Sequence, residues 1–238
     1  MKDYKKIEEA ITEIKLDVPA RLRKGVLRGN QKASLVSGLE TLDYILDLIG
    51  KESYEGLDIL DYGCGVKFMQ AILQFDLPFK SYHGMDIDKT MLDFMNEYVK
   101  HPDVKFDILP FYNELYNESG ADMTRDYKLP CGDKKFDVIT LQSVLTHFNP
   151  HDFEVCLAML KNYLKPDGKV FFTCILSPGQ VPKFMDLNPE RPLLRASYDQ
   201  DYAKQLVVDA GLQIDIFKRR GQHRFFPEHM ICSLPDAT

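Results

Sequence analysis

The chain has 238 residues, 45% of them hydrophobic and 28% charged, with a net charge of -6. That length suits one large domain or two small ones with a core of normal size, and the acidic balance argues against a general nucleic-acid binder while allowing a local basic patch. No run approaches the roughly 18 apolar residues of a membrane span, the start MKDYKKIEEA lacks an apolar signal core, and the five scattered cysteines form no CxxC; a cytoplasmic protein with reduced thiols is expected.

Apolar residues at Tyr4, Ile7, Ile11 and Ile14 predict a helix over 3–16, ended by Pro19. Residues 21–32, RLRKGVLRGNQK, carry five basic side chains and no acid, and read as a solvated, flexible face, with approach to an anionic substrate as the alternative. A second helix is expected over Ser34–Ile49 with Gly50 as its stop. Alternation then begins, with a strand over 57–62, a helix over 66–75, a strand over 81–85, a helix over 89–100 and a strand over 104–108. Residues 109–134 show no period and read as a long loop or insertion. A strand over 136–141 and a helix over 153–164 follow. The turn KPDG at 165–168 ends that helix and introduces a strand over 169–176. Residues 177–197 hold four prolines and read as a second insertion. A helix over 199–210, capped by Gly211, precedes two strands over 212–218 and 228–234, which should form an antiparallel hairpin. The fold class is therefore α/β, a mostly parallel sheet with helices on both faces. Residues 1–50 are expected to form a helical N-terminal extension or lid, and 51–238 the main domain.

The stretch ILDYGCGVKF, Ile59–Phe68, ends the first strand in a glycine-rich turn. Gly63 and Gly65 can take positive φ and let a ligand approach the backbone. The helix that follows aims free N–H groups at the same spot. Asp61, at the strand end, can accept hydrogen bonds from an ammonium group. The next strand ends in YHGMDID, and Asp86, 23 positions after Gly63, is placed to bind both hydroxyls of a ribose. A GxGxxG pattern starting at Gly63 would need its last glycine where Phe68 stands, so no pyrophosphate clamp is evident.

These segments resemble the class I S-adenosylmethionine-dependent methyltransferases, in which a DxGCG-like turn follows the first strand. LPCGDKKFDVITLQSVLTHF (129–148), YLKPDGKVFFT (163–173) and YDQDYAKQLVVDAGLQIDIF (198–217) are similar to that family's fourth-strand, fifth-strand and closing segments. The resemblance spans about 55–235. It implies a Rossmann-like seven-stranded sheet with an antiparallel last strand and S-adenosyl-L-methionine as the cofactor. Asp61, Gly63, Gly65 and Asp86 then serve the cofactor, and Ile87 flanks the adenine. Asp107 is expected to meet the adenine amine, with Asp122 and Asp126 as competitors. Leu141 and Gln142, followed by Ser143, line the pocket.

His147 lies near the expected methyl group and is the candidate general base; packing under a helix is the competing account of it. Lys67 departs from the family's small residue at its position and is expected to face solvent. His147 and His151 stand four apart, but Pro150 interrupts them and no HExxH occurs, so no metal site is expected. Cys64 reads as packing. The implied reaction is methyl transfer to an O or N of a small molecule or saccharide. RNA methylation through the basic 21–32 segment is the alternative, as is a non-catalytic binding module. The cluster Lys218, Arg219, Arg220, His223 and Arg224 reads as a solvated face, and Phe111, Tyr112 and Tyr116 as candidate pocket aromatics or packing.

Overall fold

A computed structural model of the protein describes residues 2–113, 117–179, 181–219, 221 and 228–236. Tyr116, Arg220, His223 and Arg224 therefore lie outside the described residues. The first helix, α1 (Tyr4–Ala10), is capped by Asp3, whose side chain accepts from the Lys6 amide. It ends six residues earlier than the apolar spacing predicts. Residues after Ile11 leave the helix because α3 (Lys67–Gln74) supplies their backbone partners. Gln70 Nε2 donates to the Leu16 carbonyl, the Lys15 amide donates to Gln74 Oε1, and Gln74 Nε2 donates to the Glu13 carbonyl. Tertiary hydrogen bonds thus replace those a helix would make. Leu16 and Val18 are buried there, beside α2 (Gln31–Ile49) and α3. Asn30 caps α2 and Gly50, at φ 68°, ends it.

The sheet is built from β1 (Asp58–Tyr62), β2 (Ser81–Asp86), β3 (Val104–Ile108), β4 (Phe136–Leu141), β5 (Leu164–Leu176), β8 (Gln213–Lys218) and β9 (Glu228–Ser233). Its order is β3-β2-β1-β4-β5-β9-β8. The first five strands are parallel, and β9 runs antiparallel to β5 and β8. This is the expected Rossmann-like sheet. The interior strands are buried on both faces: every residue of β1 and β9 is buried, as a sheet covered by helices requires. The helices α4 (Lys89–Tyr98), α5 (Pro150–Leu160) and α6 (Gln200–Asp209) follow β2, β4 and the second insertion.

Two departures are local. The KPDG turn does not end a helix before a fresh strand. It bulges out of β5 between the pairs Phe136–Leu164 and Val138–Lys169. A Cβ at Gly168 would approach the Phe136 carbonyl to 2.8 Å, so only glycine lets the bulge lie this close. The second insertion also contains two short strands, β6 (Phe184–Asp186) and β7 (Ala196–Tyr198), which extend the end of β5 through Ile175–Ser197 and Leu176–Tyr198. They enlarge the expected seven strands to nine among the described residues. Proline-rich sequence hid them, because each is only three residues long. No helix among the described residues is long and apolar enough to cross a membrane.

Candidate functional site

The strand order reverses between β1 and β4, and a crevice opens there at the carboxyl ends of the strands. The turn after β1 forms its floor. Amides of Gly63 and Cys64 both donate to the Met85 carbonyl, at 2.7 and 3.0 Å, tying the turn to β2. Gly63 has φ 71°, and a Cβ there would lie 2.4 Å from Val144 Cγ2. Gly65 has φ 49°, and a Cβ there would meet nothing within 4 Å. The first glycine is thus required by protein packing and the second faces open space, the cradle a ligand needs. The N-terminal residue of α3 follows at once, and Val66 before it offers no side-chain cap.

Asp86 is anchored from both sides. Its Oδ2 accepts from the Gly65 amide at 2.9 Å and its Oδ1 from the Asp88 amide at 3.0 Å. Burial raises its pKa, opposed by these amide bonds. Each oxygen keeps further accepting capacity toward the cleft, which Asp86 lines. Asp61 is inaccessible, with Tyr82 Oη donating to Oδ2 at 2.5 Å and Thr140 Oγ1 to Oδ1 at 2.7 Å. Burial pushes its carboxyl up to about 7, against the pull of those two hydroxyls and with the nearby Asp86 adding to the rise.

Asp61, Gly63, Gly65, Asp86, Ile87, Gln142 and His147 all line one cavity of about 440 Å³. Ser143, at φ 59°, turns the chain sharply after β4 and so brings Gln142 and Val144 to the wall. Its amide donates to Thr173 Oγ1 at 2.8 Å. Two expected residues are elsewhere. Leu141 is fully buried in the core beneath the cavity. The carboxylate of Asp107 accepts from His83 Nε2 at 2.7 Å and is not among the lining residues. Asp126 is absent from the lining as well. Asp122 does line a smaller adjoining cavity of about 120 Å³, together with Ile87, Leu109, Phe111 and Met123. The strand end alone pointed to Asp107; the pairing of Phe111 with Ala121 brings Asp122 to the crevice instead.

Lys67 is half-buried rather than solvent-facing. It lines the cavity, and burial lowers its pKa. The other wall comes from a segment whose structure periodicity did not reveal. Leu22, Arg23, Lys24 and Gly25 all line the cavity, and Lys24 pairs with Asp88 at 3.1 Å. The signal was the run of basic residues over 21–32, of which Arg23 buries its Nε and Nη1 here while Lys24 lines the cavity with its side chain about half exposed. Arg21, Arg28 and Lys32 are exposed. Leu194 of the second insertion also reaches the cavity, and its neighbour Leu193 holds His147: the ring Nδ1 lies 3.1 Å from the Leu193 carbonyl. A carbonyl only accepts, so the proton sits on Nδ1 and the basic lone pair on Nε2. Burial lowers the pKa of His147, partly offset by its backbone bonds, which keeps it neutral at pH 7.

Residues 60–172 match the family model of the methyltransferase domain. Among solved structures, the fold is similar to an S-adenosylmethionine-dependent methyltransferase of Leishmania major, at 19% identity, over 96% of this chain and 82% of that one, with a TM-score of 0.59. It is similar as well to magnesium protoporphyrin IX methyltransferase of Synechocystis PCC 6803 solved with bound S-adenosylmethionine, at 12% identity over 99% and 98% of the two chains, TM-score 0.55. A glycopeptide N-methyltransferase complexed with sinefungin matches at 13% identity over 83% and 94%, TM-score 0.56. The matched domain and the sheet order define the class: residues 60–172 carry a methyltransferase domain, set in a sheet of the class I order. The cofactor of such a domain is S-adenosylmethionine, with which the Synechocystis neighbour was solved.

Proposed function

We propose that this enzyme methylates an oxygen or nitrogen of a small molecule or saccharide. The observation that carries the reading is the enclosure of the cleft. Residues 22–25 wall it on one side and Leu194 on another, so an acceptor reaches the cofactor past the N-terminal segment and the second insertion, which suits a small molecule better than a polymer. The N-terminal residues act as a lid over the cofactor. RNA is the competing acceptor, but Arg23 of the basic segment buries its Nε and Nη1 at the cleft rather than presenting them at the surface, which supports a small acceptor instead.

The cleft residues suit the cofactor. Asp86 accepts from the ribose hydroxyls, Ile87 lies against the adenine, and Asp122 accepts from its amine. Gly63 and Gly65 admit the methionine portion, with Asp61 below and Gln142 beside it. S-adenosylmethionine, when bound, supplies an electrophilic methyl group. The rest of the work is positioning, since holding donor and acceptor in attack geometry removes most of the entropic barrier. His147 Nε2 takes the proton of an acceptor hydroxyl or amine, and the Leu193 carbonyl holds the ring in the basic tautomer.

The test is a methyl-transfer screen with labelled S-adenosylmethionine against soluble saccharides, hydroxy acids and amines, with RNA as a parallel arm. Transfer to a small acceptor is expected. Transfer to RNA alone, with binding that weakens steeply as salt rises, would overturn the reading.

A further inference from the structure

Two cations line the cofactor cleft with nothing among the described residues to neutralise them. Arg23 keeps Nε and Nη1 buried without a hydrogen-bond partner. Lys67 lines the same cavity, and no carboxylate pairs with it among the described residues. Both residues are half-buried, and guanidinium nitrogens buried without a partner are costly, so they are retained where a ligand completes them. The fold also makes room for Lys67. Gly38 stands in the middle of α2, where glycine is unfavourable relative to alanine. A Cβ there would come within 2.9 Å of the Lys67 carbonyl and 3.1 Å of Lys67 Cγ. The notch at Gly38 therefore lets the lysine stem pass under α2. Ser34, one turn earlier on the same helix, is buried and lines the cavity too. The uncapped first turn of α3, which begins at Lys67, adds amide donors to the same wall.

From this we propose that Arg23 and Lys67 form a carboxylate seat that selects the cofactor by the α-carboxylate of its amino-acid end. The proposal rests on the S-adenosylmethionine reading of the cleft. The lysine replaces the small residue expected two positions after Gly65, and the arginine comes from the N-terminal segment. The seat is thus split between the sheet domain and the segment that walls it. Binding of the carboxylate then draws the two together, and a ligand lacking that group does not.

Two ligands separate the contributions. S-adenosylhomocysteine carries the carboxylate; 5′-methylthioadenosine has the same adenosine and thioether but no amino-acid end. Calorimetric affinities are measured on the full chain and on Arg23→Gln and Lys67→Met, the latter keeping an unbranched stem in the Gly38 notch. Each variant should lose about 10-fold or more of its affinity for S-adenosylhomocysteine, as expected for a lost charge-assisted contact. Its affinity for 5′-methylthioadenosine should stay within about twofold, since the adenosine contacts are untouched. Unchanged affinity for S-adenosylhomocysteine would overturn the seat, and would be the result if the two cations instead served a carboxylate on the acceptor. Equal losses for both ligands would overturn it as well, by tracing the effect to damage of the fold. If the unsubstituted chain bound neither ligand, the cofactor reading itself would fail.

Discussion

The amide of Gly65 donates to Asp86 Oδ2 at 2.9 Å, so the turn after β1 and the end of β2 hold each other in place. One carboxylate thereby shapes the glycine turn and presents its remaining lone pairs to the cleft. Asp86→Ala should lower affinity for S-adenosylhomocysteine by roughly 10- to 100-fold, the range for a lost hydrogen bond to a charged group, and also lower the melting temperature. Asp86→Asn, which keeps one accepting oxygen, should lose less. Calorimetry and thermal melting check both; a wild-type affinity in the alanine variant rules out the ribose role.

The two glycines of the turn should fail in different ways. In Gly63→Ala the new methyl meets Val144 Cγ2 at 2.4 Å on a backbone at φ 71°. A loss of about 1–3 kcal/mol in denaturant unfolding is expected, and Val144→Ala should recover part of it. In Gly65→Ala the methyl points into open space, so stability should fall by no more than about 1 kcal/mol while cofactor affinity drops. Equal stability losses in the two variants would contradict this division.

Three aspartates compete for the adenine amine, and only Asp122 lines the crevice. Asp122→Ala should weaken S-adenosylhomocysteine several-fold, as for one ordinary hydrogen bond. Asp107→Ala should leave the affinity unchanged and instead free His83. Asp126→Ala should do neither.

Asp61 has a pH signature. Its folded pKa is raised to about 7 by burial, against about 3.9 in an unfolded chain. Between those values the folded state holds a proton that the unfolded state has lost, so this residue makes stability fall as pH rises from about 4 to about 7. Asp61→Asn removes that slope. The melting temperature of the variant relative to the parent should therefore be higher at pH 8 than at pH 5. A difference that is flat or reversed across this range would show that Asp61 ionises normally.

His147 is held neutral at pH 7 because burial lowers its pKa. With an acceptor in hand, kcat should be flat through neutrality and fall only on the acid side, once the ring protonates. His147→Asn should lower kcat by about 10²-fold or more if the ring removes a proton, with KM for S-adenosylmethionine little changed. A kcat within threefold of the parent would leave the ring a packing role only.

Much of the frame was legible in the chain. The turn at Gly63–Gly65, the acid at Asp86 and the alternation of 57–176 depend on local periodicity and on backbone demands that few residues meet. What was not legible came from distant partners. Residues 11–16 carry helical spacing, yet Gln70 and Gln74 of α3 bind their backbone instead. Asp122 reaches the crevice only because Phe111 pairs with Ala121 beside it. Lys67 occupies a position that is commonly solvent-facing on a first helical turn, and it turns inward because Gly38, 29 residues earlier, leaves space for it. Each of these depends on a contact that no short window of sequence contains.

The pairing of Lys24 with Asp88 bears on how fast the enzyme can cycle. Spent cofactor must leave after every transfer, and the segment at 22–25 stands in the way. The pair is partly solvated, with side-chain exposures of 52% and 20%. Such a contact contributes at most about 1 kcal/mol. Leu22 beside it is buried in the core, so packing rather than this ion pair anchors the segment. Release of the product then depends on that packing as well as on the product's own grip on the floor of the crevice, and added salt, which screens the pair, should change the turnover rate little.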